Sequence, residues 1–118
     1  MLVHSLVQSP ALIFITAAHD FFDFDWDIKK ARAYLKKHEV SFRLATSVFR
    51  DPLALTIFDV EHSDEEDRWI TLGRAQNGQV LVVVHTSEEV STSELHVRII
   101  SARPAEREEV HDYEQTPR

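Results

Sequence analysis

The sequence predicts an α+β fold: one compact domain in which two N-terminal helices pack on a largely antiparallel four-stranded sheet, with a C-terminal helix after it. Three observations predict it. A stretch of helix formers with capping residues runs from Trp26 to Glu39, four β-branched and aromatic runs follow between residues 53 and 101, and Asn77-Gly78 separates the second run from the third. At 118 residues the chain is long enough for one core and too short for two ordinary domains.

The elements follow in order. "FDFDWD", from Phe22 to Asp27, alternates apolar and acidic residues and reads as a short strand. Its aspartates resemble the start of a calcium loop, but Ile28 and Tyr34 stand where that loop needs Gly and Glu, so calcium binding is rejected. In "WDIKKARAYLKKHE", Asp25 or Asp27 can cap a helix whose Ile28, Ala31 and Leu35 stripe is expected to face the core. Lys30, Tyr34 and His38 fall four apart on another face, with Lys37 close by. Ser41 can cap a second helix, "FRLATSVFRD", with Phe42, Ala45, Val48 and Phe49 as its apolar side, and Pro52 ends it.

The strand runs are residues 53–59, 68–75, 80–86 and 95–101. Asn77-Gly78 predicts a type I′ hairpin between the middle two. "VLVVVH" is apolar on both alternating faces, which suits a central strand covered on both sides. The helices are expected on one side of the sheet. "AEREEVHDYE", after Arg103-Pro104, reads as a short helix gripped by Val110 and Tyr113.

Composition narrows the function classes. Apolar residues at 43% and charged residues at 28% are ordinary for a globular protein, and no stretch approaches the ~18 uninterrupted apolar residues of a membrane span. With no cysteine, disulfides, thiolate nucleophiles and Cys-based metal sites are excluded. The histidines show no HxH or HxxxH spacing, so no metal is expected. No Lys or Arg precedes Lys29, so a secretory signal is not expected, and residues 1–22 read as an N-terminal extension to a domain spanning 23–118.

The net charge of −7 argues against non-specific coating of nucleic acid. The charge is nonetheless uneven. Asp27 to Arg43 holds six bases (Lys29, Lys30, Arg32, Lys36, Lys37, Arg43) against two acids, whereas Asp59 to Asp67 holds six acids and no Lys or Arg. One segment suits an anion, and the other a basic partner.

"FDWDIKKARAYLKKHEVSF", "VFRDPLAL", "EEDRWITLGR", "VLVVVHT" and "RIISARPAEREEVHDYE" resemble, in order and spacing, the BrnT-type toxins of bacterial type II toxin–antitoxin systems, over Phe24 to Glu114. The most specific pieces are Trp26, Lys30, Lys37-His38, Val40 and Phe42, and the "ISAR" block with Glu109 and Tyr113 after it. The family usually has Asn at Tyr34, Gly at Glu39 and a basic or polar residue at Pro104. The resemblance implies a RelE-like fold and a cytoplasmic, metal-independent endoribonuclease that inhibits translation and uses no cofactor. It also implies a partner antitoxin and an RNA substrate, with homo- or hetero-oligomers both open. A non-catalytic protein-binding module retaining the toxin fold is the alternative.

Metal-free RNA cleavage attacks the phosphate with the adjacent 2′-hydroxyl, so it needs a base, an acid for the leaving oxygen, and cations. With the resemblance, Lys30, His38, Arg68, Arg98 and Arg103 are the candidate catalytic residues, Lys37, Tyr34 and Arg74 the candidate substrate contacts, and Glu109 and Tyr113 the supporting pair. His38 stands at a helix C-terminus, where the dipole favours a cation, so capping and acid catalysis are equally open. Arginine is suited to bidentate phosphate binding. By strand alternation Arg68 and Arg74 share a face, and Arg103 has the opposite parity from Arg98 unless a bulge re-aims it. His85 and His96 could pair as acid and base, but strand histidines of this kind are more often satisfied core or rim residues.

Overall fold

The computed structural model describes residues 20–117, so the expectations about a signal segment and most of the N-terminal extension lie outside the described residues. The order is β1 (Phe21–Trp26), α1 (Ile28–His38), α2 (Phe42–Thr46), a 3₁₀ turn (Ser47–Arg50), β2 (Leu55–Phe58), a second 3₁₀ turn (Val60–His62), β3 (Trp69–Arg74), β4 (Val80–Glu89), β5 (Glu94–Pro104) and α3 (Arg107–Gln115). The sheet has five strands in the order β1-β5-β4-β3-β2. The expected four-stranded antiparallel sheet is therefore corrected: β1 joins it, parallel to β5, with Asp23 opposite His96 and Asp25 opposite Arg98. Alternation announces a strand but not its neighbour, and here α1 and α2 begin the long crossover that parallel pairing requires.

Capping sets the helices. The Asp27 carboxylate accepts the Lys30 N–H at 3.1 Å and the Ser41 hydroxyl accepts the Leu44 N–H at 2.9 Å. α1 ends where Glu39 turns left-handed, at φ 57°, and donates its N–H to the Leu35 carbonyl. A glycine takes that conformation without the steric cost that Glu39 carries.

The core has two halves, one on each face of the sheet. On one, Val40, Phe42, Ala45, Val48 and Phe49 pack against Leu81, Val83, Leu95, Val97, Ile99 and Ala102. On the other, Tyr113 and Val110 of α3 pack against Leu55, Ile57, Ile70, Leu72, Val80 and Val82. β4 is thus central and covered on both sides, as its double apolar pattern requires. The expectation of helices on one side is corrected, because α3 returns across the opposite face. The core stripe of α1 is corrected too. Ala31 and Tyr34 face inward, while Ile28 and Leu35 are 64% and 48% exposed. The Tyr34 ring lies tilted against Phe42 at 5.7 Å, and turning that ring inward rotates the Ile28 and Leu35 row out.

Two local features aim the side chains. At the β3–β4 hairpin Ala75 donates to Gln79 and Gly78 donates to Ala75, with Gly78 at φ 91° and Asn77 not left-handed. This is the three-residue turn with a left-handed glycine, not the type I′ turn that Asn-Gly suggests. In β5 the pairing steps from His85 opposite Ile99 to Val84 opposite Ser101, leaving Ile100 as an extra residue. That bulge reverses the alternation along the strand.

Candidate functional site

The bulge decides which residues meet. Before it, Leu95, Val97 and Ile99 face α1 and α2; after it, Ala102 does. His96 and Arg98 therefore share with Arg103 the face that looks toward α3, along with Val82, Val84 and Thr86 of β4. Ile70, Leu72 and Arg74 of β3 pair with Val84, Val82 and Val80, and the alternation places Arg68 on the same side. All four candidate arginines thus lie on one face.

Lys30, Tyr34, Lys37 and His38 lie on α1, across the sheet from them. Lys30 and Lys37 are exposed. The His38 ring stacks on Tyr34 at 5.9 Å, and the helix end is closed by the Glu39 N–H. The structure therefore sets the arginines on one face, Arg74 and Arg103 at one end of β4 and Arg68 and Arg98 at the other, and leaves the α1 residues on another surface.

Each arginine has a carboxylate near it, and the pairs differ in kind. Arg103 donates to Glu109 at 2.8 and 2.9 Å, and Glu109 is buried while also accepting the Glu106 N–H. Burial raises the Glu109 carboxyl, but the Arg103 and Glu106 hydrogen bonds outweigh it and hold the group below the usual carboxylate range. Arg74 reaches Glu114 at 3.7 Å, hydrogen-bonds the Gly78 carbonyl and lies over the Tyr113 ring, whose hydroxyl donates to Asp51. These contacts clamp α3 to the sheet. Glu109 and Tyr113 are its anchors.

The other two pairs are loose. Arg98 meets Asp25 at 3.5 Å with both side chains 48% exposed, and Arg68 meets Glu66 at 3.6 Å. The Arg68 Nε–H is buried with no partner among the described residues, a cost of about 1–3 kcal/mol for a donor left unmade. Beside Arg98 an open cleft of about 330 Å³ is lined by Asp25, Asp67, Thr86, Glu88, His96 and Arg98, among others.

His96 is the residue that sequence alternation alone under-weighted. Its Nδ1 lies 2.9 Å from Asp23 Oδ2 and its Nε2 lies 3.5 Å from Asp25 Oδ2. The Asp23 hydrogen bond raises its pKa, against a smaller opposing effect of burial and with added attraction from Asp25 and Glu88. Both carboxylates come from β1, so only the parallel register brings them there. The signal present in the sequence was the matching alternation of "FDFDWD" and "LHVRI".

His85 is not part of this group. It is wholly buried on the opposite face, edge-on to Phe49, with Nε2 2.6 Å from the Thr71 hydroxyl, which is 2.7 Å from that of Thr56. Its Nδ1–H reaches the Thr86 carbonyl, and desolvation lowers its pKa to about 4. It is a satisfied core histidine.

One mixed sheet covered by helices on both faces, with four arginines and an acid-flanked histidine on the α3 face, defines a small α+β protein. Comparison with known families is specific: the family described as "Ribonuclease toxin, BrnT, of type II toxin-antitoxin system" matches residues 26–109. The chain belongs to the BrnT family, and so is a ribonuclease toxin of a type II toxin–antitoxin system, with RNA as target and an antitoxin as partner. Among solved structures, the 1.1 Å crystal structure of the Brucella abortus ribonuclease toxin BrnT is similar at 18% identity, covering 74% of this chain and 99% of that one, with a TM-score of 0.43. No curated protein matches. No helix among the described residues is long and apolar enough to cross a membrane.

Proposed function

We propose that the chain cleaves RNA without a metal, in the cytoplasm, at the open part of the sheet face that carries Arg68, His96 and Arg98. The observation that carries this reading is the β3–β4–β5 register, with Ile70 opposite Val84 and Arg98 opposite Thr86, which sets Arg68, His96 and Arg98 on one side of the sheet. The arrangement of α1 and α2 on one face and α3 on the other supports a RelE-like toxin fold for residues 23–118, with β1 reaching back to Phe21.

The chemistry follows from the geometry. A phosphate entering the cleft exchanges with Asp25 for the Arg98 guanidinium, since the existing 3.5 Å contact is loose and half-exposed. Arg68, loosely paired with Glu66 and outside the cleft lining, adds positive charge beside it. Asp25, released from Arg98, accepts the 2′-hydroxyl proton. The 2′-oxygen attacks phosphorus, and protonated His96, oriented by Asp23, delivers its proton to the leaving 5′-oxygen. A 2′,3′-cyclic phosphate and a 5′-hydroxyl end result. Arg103 holds α3 through Glu109, while Lys30, Lys37, Tyr34 and His38 offer a separate surface to the flanking RNA.

Purified protein incubated with single-stranded RNA and EDTA tests the proposal. Cleavage by the wild type and its loss in His96→Ala and Arg98→Ala supports it. Loss on His38→Ala alone would place the site on α1, and no cleavage by the wild type would favour a protein-binding module that kept the fold.

A further inference from the structure

The outward rotation of α1 leaves a surface that the ribonuclease reading does not use. Ile28 and Leu35 stand exposed above Trp26, Ala31 and Phe42, and together they line an open groove of about 170 Å³ between α1 and the start of α2. Arg32 and Arg43 stand at its rim, and Lys29 and Lys36 lie on the same exposed helix. Among the described residues none of these four cations has a carboxylate within ion-pair distance. This contrasts with the arginines on the sheet face, each of which has one.

We propose that this groove docks an acidic amphipathic helix of the partner antitoxin. The proposal rests on the toxin reading for the existence of that partner, and on the lining and rim of the groove for its chemistry. An apolar floor of Trp26, Ala31 and Phe42 between two exposed aliphatic side chains accepts the anchor side chains that one face of a helix presents. The rim of unpaired cations selects glutamates or aspartates beside those anchors, because opposite charges speed encounter and like charges exclude wrong partners. A second copy of the chain fits poorly, since pairing this face with itself sets Arg32 and Arg43 against their own counterparts. RNA fits the rim and not the floor, where Ile28 and Leu35 offer no donor.

The test uses a synthetic helical peptide with leucines at i, i+3 and i+7 flanked by glutamates, a twin with lysines in place of the glutamates, and a single-stranded RNA oligonucleotide. Binding is read by calorimetry and by tryptophan fluorescence in a Trp69→Phe background, which leaves Trp26 as the reporter. The acidic peptide is expected to bind the wild type, and Leu35→Asp, or Arg32→Glu with Arg43→Glu, to weaken it by roughly tenfold or more. Leu35 and both arginines are exposed or at the rim, so melting curves matching the wild type confirm that these variants fold. RNA cleavage is expected to be unchanged in Leu35→Asp.

Equal binding of the lysine twin, absence of peptide binding, self-association of the wild type reversed by Leu35→Asp, or RNA binding abolished by Leu35→Asp would each overturn the proposal. The two readings fail separately. Peptide binding without any cleavage by the wild type overturns the ribonuclease reading of this chain and keeps the docking groove, and cleavage without peptide binding does the reverse.

Discussion

Arg103 grips Glu109 with two parallel hydrogen bonds, 2.8 and 2.9 Å long, and the same carboxylate caps the helix that carries it by accepting the Glu106 N–H. One buried carboxylate thereby ties β5 to the first turn of α3. Removing either partner leaves the other poorly satisfied, which is where a buried pair shows its cost.

Glu109→Ala is therefore expected to destabilise the protein by about 2–3 kcal/mol, discounted from a fully buried pair because Arg103 is partly exposed. Glu109→Gln keeps one acceptor and costs about 1 kcal/mol. Urea unfolding checks both. If Glu109→Ala unfolds at the wild-type midpoint, the clamp contributes nothing.

Acid should destabilise the fold through His85. Its pKa is about 4 when folded and 6.5 when free, so between those values the unfolded chain binds a proton that the folded chain refuses. Stability is fully present above pH 6.5 and declines as pH falls toward 4, by on the order of 3 kcal/mol. His85→Gln removes this contribution. Midpoints measured across pH 4–7 should slope less steeply in the variant, and parallel slopes would show that burial of His85 has no such effect.

Glu39 holds a left-handed conformation at φ 57°. Glu39→Gly removes the side-chain clash at the cost of a freer unfolded chain, for a net gain of about 0.5–1 kcal/mol. A melting temperature unchanged or lowered by this variant would mean that the Glu39 side chain compensates its own strain.

At the cleft, His96→Ala is expected to slow RNA cleavage by about 10²–10⁴-fold and Arg98→Ala by about 10²-fold, with melting curves little changed because both side chains lie at the surface. The Asp23 hydrogen bond raises the pKa of His96, so an acid role predicts activity that falls as pH rises through that raised value. Asp23→Asn should move the falling limb to lower pH. A limb that stays put would remove His96 from the proton transfer.

Much of the fold was legible before any tertiary contact was known. Asp25, Asp27 and Ser41 are short polar residues before apolar periodic stretches, so local hydrogen bonding placed the start of α2 at Ser41 and narrowed that of α1 to two aspartates, of which Asp27 is the cap. The double apolar alternation of β4 announced a strand buried on both faces, and Val110 and Tyr113 announced the grip of α3. These are effects within a few residues of one another, and sequence records them directly.

What the sequence left open is what depends on residues far apart. Strand alternation did not say that β1 would lie beside β5, 73 positions away at the contact of Asp23 with His96, so it could not assemble that pair. It allowed a bulge but could not require one, and the extra residue at Ile100 is what turns Arg103 to the side of Arg98. Helical spacing chose the Ile28, Ala31 and Leu35 stripe of α1 for the core, and packing turned the helix otherwise. The row with Tyr34 won because an aromatic ring against Phe42 buries more apolar area than Ile28 or Leu35 can there, and the losing row became an exposed surface. The sequence by itself determined most of the elements, the Ser41 cap and the family, while it left the first cap open between Asp25 and Asp27 and ran the second helix on through the 3₁₀ turn Ser47–Arg50. Register, bulge and helix rotation decided which side chains face one another, since each is settled by packing summed over the whole sheet.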